Sequence, residues 1–202
     1  MTHCVQVRVL GLVTLFVSMT TMVGLQAKSM LQVNENTTDV LRNIFEEDQK
    51  DRTGIDDASI ARDAKRREQV HRLLSDGKIE SGDDYYYAAM VFQHGQTPSD
   101  YLLAHVLAVT AVVKGSKRGV WLSAATLDRY LQSVKQPQIF GTQFGSNAPA
   151  KGPYTQSPYD KNMLADTIRV AWCVASSSAQ VSILTDVNAG KEFKSTNTCP
   201  AQ

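Results

Sequence analysis

Helical periodicity is the feature of this sequence that most restricts its fold. Apolar residues recur at spacings of three and four in successive segments, and no run alternates polar and apolar residues with period two. Residues that begin and end helices bound these segments. Thr97 and Pro98, for example, suit a helix start, and Gly115 suits the end of the same helix. The pattern predicts a mainly α fold, with a single compact helical domain and a Gly/Pro-rich loop region after the fifth helix.

The predicted helices differ in their environments. The fourth is apolar on most sides and is expected to form the central core element, whereas the charged second helix is expected on the surface. Residues 144–160 are predicted to be loop, with a short extended piece around Ile139–Phe144. The predicted segments are 37–52, capped by Thr37 or Thr38; 58–75; 81–95, capped by Ser81 or Asp83 and ended by a left-handed Gly95; 98–114; 118–135; 160–171; and 177–189, with Ser177 and Gln180 at capping-box spacing.

The N-terminus has the features of a secretory signal peptide. Arg8 precedes an apolar stretch, and the small residue Ala27 stands before Lys28, where a signal peptidase could cut. We therefore predict a signal peptide at 1–27, a flexible lead-in at 28–36 and one helical domain at 37–202. The protein is expected to be exported, periplasmic or secreted, with no membrane association after cleavage. Retention of the apolar stretch as an anchor is the alternative.

Export makes a disulfide the favoured role for the cysteines. Removal of the signal peptide takes away Cys4 and leaves Cys173 and Cys199. An even pair of cysteines in an oxidising compartment favours a disulfide over a metal site or a nucleophile. The alternative is one buried thiol and one free thiol in the C-terminal tail.

The charge balance argues against nucleic acid as a partner. The chain has 21 lysines and arginines and 20 aspartates and glutamates, for a net charge of +1. Such a chain has no broad basic surface to neutralise phosphates. A hydrophobic content of 43% is enough for an ordinary globular core.

The segment DQKDR at 48–52 places polar residues where the apolar stripe of the first helix should continue. Asp48 and Arg52 have the i, i+4 spacing of a helix ion pair, and Gln49 lies at the edge of the stripe. Two interpretations stay open. The residues belong to a polar site, or the apolar face ends after Phe45 and the ion pair is exposed.

The segment QHG at 93–95 follows the third predicted helix. His94 beside a helix C-terminus could act as a general acid or base or bind an anion, with Gln93 next to it. The alternative is that it caps the last carbonyls. His105, inside an apolar helix, is expected to be a core histidine with its hydrogen bonds satisfied. The histidines lack HxxxH spacing, so a zinc site would need ligands from distant segments; the sequence predicts no metal site and leaves the cofactor unknown.

The segment LDRYLQSVKQPQIFGTQFG contains the third set of polar residues. Asp128 is expected beside the apolar stripe of its helix, and Arg129 on the solvated side. The loop that follows offers amide and hydroxyl groups, with a glycine that allows positive φ, and so suits a polar ligand bound by neutral hydrogen bonds. It is not a phosphate-binding P-loop. The loop residues concerned are Gln138, Gly141, Thr142 and Gln143.

The three segments, in this order and at these separations, resemble a bacterial family known only as a domain of unknown function, with DQxxR, QH and QxxGTQ signatures. The resemblance covers about 40–190 and implies no established activity. It implies that the family-typical positions are Asp48, Gln49, Arg52, Gln93, His94, Asp128, Arg129, Gln138, Gly141, Thr142 and Gln143.

These observations leave two functional hypotheses. In the first, the three segments form one pocket that binds a small polar ligand or catalyses a reaction, with His94 as acid or base. Asp48 or Asp128 would then orient the histidine, and Arg52 or Arg129 would hold an anionic group. In the second, the protein is structural or binds a partner, and the same residues form a buried packing network. The first hypothesis predicts that Asp48, His94 and Gln143 converge in space.

Overall fold

Seven α-helices contain most of the residues that the structure describes. The structure is a computed structural model that describes residues 36–53, 57–146 and 153–199, so the predicted signal peptide at 1–27 and residues 28–35 of the lead-in lie outside it. The prediction of a mainly α fold is confirmed. The elements are α1 (Thr37–Lys50), a 3₁₀ turn (Asp51–Thr53), α2 (Asp57–Ser75), α3 (Gly82–Phe92), α4 (Pro98–Val113), α5 (Gly119–Ser133), the antiparallel strands β1 (Gly145–Ser146) and β2 (Tyr154–Thr155), α6 (Asp166–Ala171) and α7 (Ser177–Asn188).

Local capping explains where the central helices begin. Ser81 and Asp84 form a capping box at the start of α3, and Thr97 and Asp100 form another at the start of α4. Pro98 occupies the first turn of α4, where its missing N–H costs nothing. The predicted starts of these two helices are therefore confirmed.

Two predicted caps are wrong. The cap of α1 is Asn36, whose Oδ1 accepts a hydrogen bond from the Thr38 backbone N–H at 3.2 Å. The cap of α7 is Ser176, and Gln180 is buried among loop carbonyls rather than turned back toward the helix start. In both cases a good capping residue lies just before the predicted one, and sequence spacing does not distinguish the two.

The core is formed where α3, α4 and α5 pack side by side and α1 packs against α3. Small residues let these helices approach closely: Ala88, Ala104 and Ala108 are fully buried. A Cβ at Gly119 would lie 2.7 Å from the carbonyl oxygen of Ala108, so the contact between α4 and α5 requires glycine there. Burial of apolar surface along these helix faces drives the packing.

The central role predicted for α4 is only half right. The helix buries Ala104, Leu107, Ala108 and Ala111, but its other face is open, with Val106 51% exposed. The helix is apolar on most sides but buries only one of them, the side that carries the three alanines and Leu107. Three further apolar side chains share the open face, namely Leu102, Val109 and Val113.

Two smaller predictions about this region are also corrected. Gly95 does not have a positive φ. It is required because a Cβ there would collide with Asp100, the acidic member of the capping box of α4. Helix α2 is not a purely solvated surface helix, because Asp63 and Arg66 are buried within it.

The C-terminal segment is tied back to the rest of the protein by a disulfide. Cys173 and Cys199 are bonded, with Cα atoms 4.9 Å apart, as predicted. Beside this bond, the Ala175 N–H donates to the Thr196 carbonyl at 2.9 Å, and the Thr198 N–H donates to the Cys173 carbonyl at 2.8 Å. Covalent and backbone bonds thus hold the tail at these two positions. Within the described part of the chain, no helix has the length and apolarity needed to span a membrane.

Candidate functional site

Asp48 is the centre of a buried network of charges. Its carboxylate is fully buried and accepts hydrogen bonds from His94 Nδ1 at 2.8 Å and from Gln49 Nε2 at 2.8 Å. Arg52 lies 3.4 Å from the other oxygen, so the predicted i, i+4 pair exists. The alternative of an exposed pair is wrong. An ionised carboxylate can only accept, so His94 Nδ1 is the donor in this hydrogen bond.

The network continues into α2 with alternating charges. Arg52 bonds to Asp63, and Arg66 bonds to both Asp63 and Asp51 at 2.6 Å. Hydrogen bonds from Arg62 and Arg66 hold the pKa of Asp51 well below its usual value. Burial opposes the ionisation of Asp63, but its bonds to Arg66 and Arg52 outweigh that cost and lower its pKa as well.

This network joins the loop after α3 to α1 and α2. His94 uses Nδ1 to contact a carboxylate 46 residues earlier in the chain, instead of capping the last carbonyls of α3. Each carboxylate in the network has at least two donors, so the arrangement resembles a packing network that fixes three helices. Catalysis by His94 stays a prediction.

Asp128 organises the loop that follows α5. It is fully buried and accepts hydrogen bonds from the backbone N–H groups of Ile139 (2.9 Å), Phe140 (3.0 Å) and Thr142 (2.9 Å), and from Thr142 Oγ1 (2.7 Å). These four donors occupy the lone pairs of both carboxylate oxygens. Asp128 therefore positions the loop, and it has no capacity left to orient His94.

Three buried glutamines hold the inside of the same loop. Gln138 donates to the carbonyls of Gln143 and Gln156 and accepts from the Gln143 N–H at 2.9 Å. Gln156 donates to the Gly141 carbonyl at 2.6 Å, and Gln180 donates to the Phe140 carbonyl at 2.9 Å. Amide side chains thus replace the backbone partners that a helix or sheet would supply. Gln138, predicted to bind a ligand, instead supports the loop.

Gly141 is required by both backbone conformation and space. Its φ is +80°, and a Cβ there would collide with Gln180 and lie 2.7 Å from the Tyr159 ring. The glycine lets Gln180 reach the loop. Sequence reasoning did not identify Gln156 or Gln180, because each lies in a separate segment with no local signal of its role.

A cleft of about 340 Å³ opens beside this loop. Gln143 stands on its wall, with its Nε2 donating to the Ala125 carbonyl at 3.2 Å and to Thr142 Oγ1 at 2.9 Å. Its Oε1 has no donor within the described ranges, so it can accept a hydrogen bond from a ligand. The cleft is lined by Trp121, Arg129, Thr142, Gln143, Phe144, Tyr154, Phe193, Ser195 and Thr196.

Arg129 gives the cleft an uncompensated positive charge. Its Nε is buried without an acceptor, and among the described residues it has no carboxylate partner. Burial lowers the pKa of this guanidinium; Tyr101 opposes the shift, and the positive charge of Arg52 adds to it. The prediction that Arg129 is solvated is therefore wrong. The sequence places it opposite the apolar stripe, but in the structure it stands in the wall of a cleft whose lining also includes residues of the loop and of the C-terminal tail.

The structure divides the predicted site residues into separate groups. Asp48, Gln49, Arg52 and His94 meet in the charge network, whereas Arg129, Thr142 and Gln143 line the cleft. Gln93 joins neither group, since its Nε2 contacts Met90 Sδ at 3.1 Å. The cleft is thus not built from DQKDR and QHG, although Arg52 lies near enough to influence Arg129.

The predicted convergence of three polar groups is half confirmed. Asp48 and His94 are in contact, and the approach of Gln143 to them stays a prediction. His105 is satisfied as expected, with Nδ1 2.9 Å from the Ser123 carbonyl oxygen. Within the described ranges, no group of three histidine, cysteine, aspartate or glutamate side chains is arranged to hold a metal ion.

Comparisons with known proteins give no match to a family model, to a curated protein or to a solved structure.

Proposed function

We propose that this chain is an exported protein that binds a small ligand in the cleft beside the loop at 138–144. Arg129 is the observation that carries the proposal. The Nε of this partly buried guanidinium has no acceptor, and its charge has no carboxylate partner among the described residues, which is unfavourable unless a ligand supplies an acceptor. The cleft volume of about 340 Å³ lies at the lower end of the range for small-molecule sites.

The construction of the loop supports the same function. Asp128 and three buried glutamines fix its backbone, so Thr142 and Gln143 stand on the cleft wall in a set position. A rigid polar wall reduces the entropy that binding costs. The disulfide and the backbone bonds around Thr196 hold the opposite wall. Both walls are therefore ordered before any ligand binds.

The second candidate function concerns the charge network, which we propose to be structural. The ion pairs of Arg66 with Asp48 and Asp63 favour a network that fixes the packing of α1, α2 and the loop after α3. Membership of the uncharacterised bacterial family is likewise a proposal, because it rests only on the three sequence signatures.

A thermal-shift screen tests the cleft. Neutral, anionic and cationic small molecules are compared on the wild type and on Ser195→Trp, in which a large side chain fills the cleft from the tail. Ser182→Trp, exposed on α7, is the matched control. A ligand that binds the folded state raises Tm in proportion to ln(1 + [L]/Kd). We expect hits that disappear in Ser195→Trp and persist in the control. An empty screen, or hits that survive in Ser195→Trp, would contradict the proposal.

A further inference from the structure

The charges around the cleft restrict the class of ligand. Its lining contains one cation, Arg129, and no aspartate or glutamate. The nearby Arg52 is already paired with Asp48 and Asp63, so Arg129 is the charge that a ligand in the cleft would compensate. An anion relieves this excess charge, whereas a cation increases it and a neutral molecule leaves it unchanged. The cleft therefore favours an anionic ligand.

The apolar part of the lining favours a flat body for that ligand. Four aromatic side chains contribute to the walls, and the rings of Phe144 and Phe193 meet edge to face with centroids 5.4 Å apart. Trp121 is held in place by its Nε1, which donates to Thr196 Oγ1 at 3.2 Å. Aromatic walls bind planar rings through stacked and edge contacts. The cleft volume leaves room for one or two rings.

The neutral donors distinguish between kinds of anion. Ser195 Oγ accepts from the Asn197 N–H, and Thr196 Oγ1 accepts from Trp121, so both hydroxyl hydrogens can point to a ligand. One guanidinium and two hydroxyls match a carboxylate. A phosphate monoester carries a charge of about −1.5 to −2 and would need more cations than the lining has. A zwitterionic amino acid would need an acidic side chain for its ammonium group, and the lining has none.

We propose that the cleft binds a monocarboxylate that carries one or two aromatic rings. The carboxylate lies on Arg129, and the rings lie between Trp121 and Phe193. This inference rests on the proposed function and specifies its ligand class.

Titration calorimetry with a series of related probes tests this class. Indole-3-acetate is the aromatic monoanion, indole-3-acetamide its neutral counterpart and tryptophan its zwitterionic counterpart, while phenyl phosphate is an aromatic dianion. We expect the purified protein to bind indole-3-acetate at least about tenfold more tightly than the amide, a factor that corresponds to about 1.4 kcal/mol. We expect Arg129→Met to remove this preference and Arg129→Lys to restore part of it.

The variants need a check on folding, because Arg129 is partly buried. Thermal unfolding of each variant without ligand shows whether it is folded at the temperature of the titration. A folded Arg129→Met protein that still binds the amide provides the internal control, since its aromatic walls are intact.

Failure of the inference and failure of the proposed function are distinguishable. Equal affinities for the acid and the amide, or tighter binding of phenyl phosphate or tryptophan, would overturn the ligand class. In those cases the cleft would still bind ligands. If no probe binds although the thermal-shift screen has found cleft ligands, only the proposed ligand class is overturned. An empty screen would overturn the proposed function as well.

Discussion

Replacement of Asp48 by asparagine should strongly destabilise the protein. The carboxylate is fully buried, accepts from His94 and Gln49, and lies 3.4 Å from Arg52 and 3.9 Å from Arg66. Asparagine keeps the shape but removes the negative charge, and its NH₂ group faces donors or cations. Loss of one partner from a buried ion pair costs about 3–5 kcal/mol, out of the ~5–15 kcal/mol that stabilises a typical domain.

The same substitution at Asp39 is the matched control. Asp39 lies on the same helix, α1, and pairs with Arg42 at 3.0 Å, but both side chains are about half exposed. Exposed pairs contribute about 0–1 kcal/mol, so Asp39→Asn should change the free energy of unfolding by no more than that. The comparison separates the effect of burial from the effect of the substitution itself.

Urea unfolding followed by circular dichroism at pH 7 measures both values. We expect the midpoint of Asp48→Asn to fall far below that of Asp39→Asn, with an unchanged m-value. His94→Ala should cost about 1.5–3 kcal/mol, the range for a hydrogen bond to a charged group. This is more than the ~1 kcal/mol that a capping role would give. Similar midpoints for Asp48→Asn and Asp39→Asn would refute the reasoning, because the buried network would then contribute nothing beyond an exposed pair.

Three further predictions concern the disulfide, acid stability and the loop. Replacing Cys173 and Cys199 together by serine should lower the free energy of unfolding by about 3.5 kcal/mol, from the chain-entropy relation at a separation of 26 residues; a loss below about 1 kcal/mol in urea would contradict it. Because the pKa of Asp63 is depressed when folded, its contribution is present above the unfolded pKa of about 4 and is lost as pH falls toward the folded pKa. Asp63→Asn should make the free energy of unfolding fall less steeply with decreasing pH below pH 4. An unchanged slope of this free energy against pH would count against the prediction. Gly141→Ala should cost at least about 2 kcal/mol, from strain and overpacking. Gly77→Ala, with φ +66° but open space around the Cβ, should cost about 1–2 kcal/mol from backbone strain alone. If thermal unfolding shows the same loss of Tm for Gly141→Ala and Gly77→Ala, the contact with Gln180 contributes nothing.

Local sequence determined the parts of the fold that could be predicted. Helix α4 begins at Pro98 because Thr97 and Asp100 cap it, and all three residues are adjacent in the chain. The disulfide was predictable because only two cysteines remain after the predicted cleavage. The pair of Asp48 and Arg52 follows from helix geometry. In each case the interacting groups lie within one turn or are the only candidates.

The cleft was not predictable because its lining comes from four separated parts of the chain. Trp121 and Arg129 lie on α5, Phe144 ends the loop, Tyr154 is in β2, and Phe193 is in the tail. Helical periodicity placed Arg129 on the solvated side, since it contains no information about the tail, whose Phe193 lies 193 − 129 = 64 residues later in the chain. For the same reason, the sequence did not reveal that Gln180 supports the loop, since its partner Phe140 lies 40 residues earlier. Tertiary contacts alone bring these groups together.

The NMR signal of the Arg129 guanidinium, followed through its chemical shift and hydrogen exchange with and without indole-3-acetate, shows directly whether a carboxylate in the cleft binds this residue. In the free protein, the Nε of this guanidinium lacks an acceptor. On addition of the carboxylate, this signal should shift and its exchange with water should slow, because a charge-assisted hydrogen bond forms. Indole-3-acetamide should cause a smaller change in both. An Arg129 signal that does not respond to any cleft ligand would contradict the account.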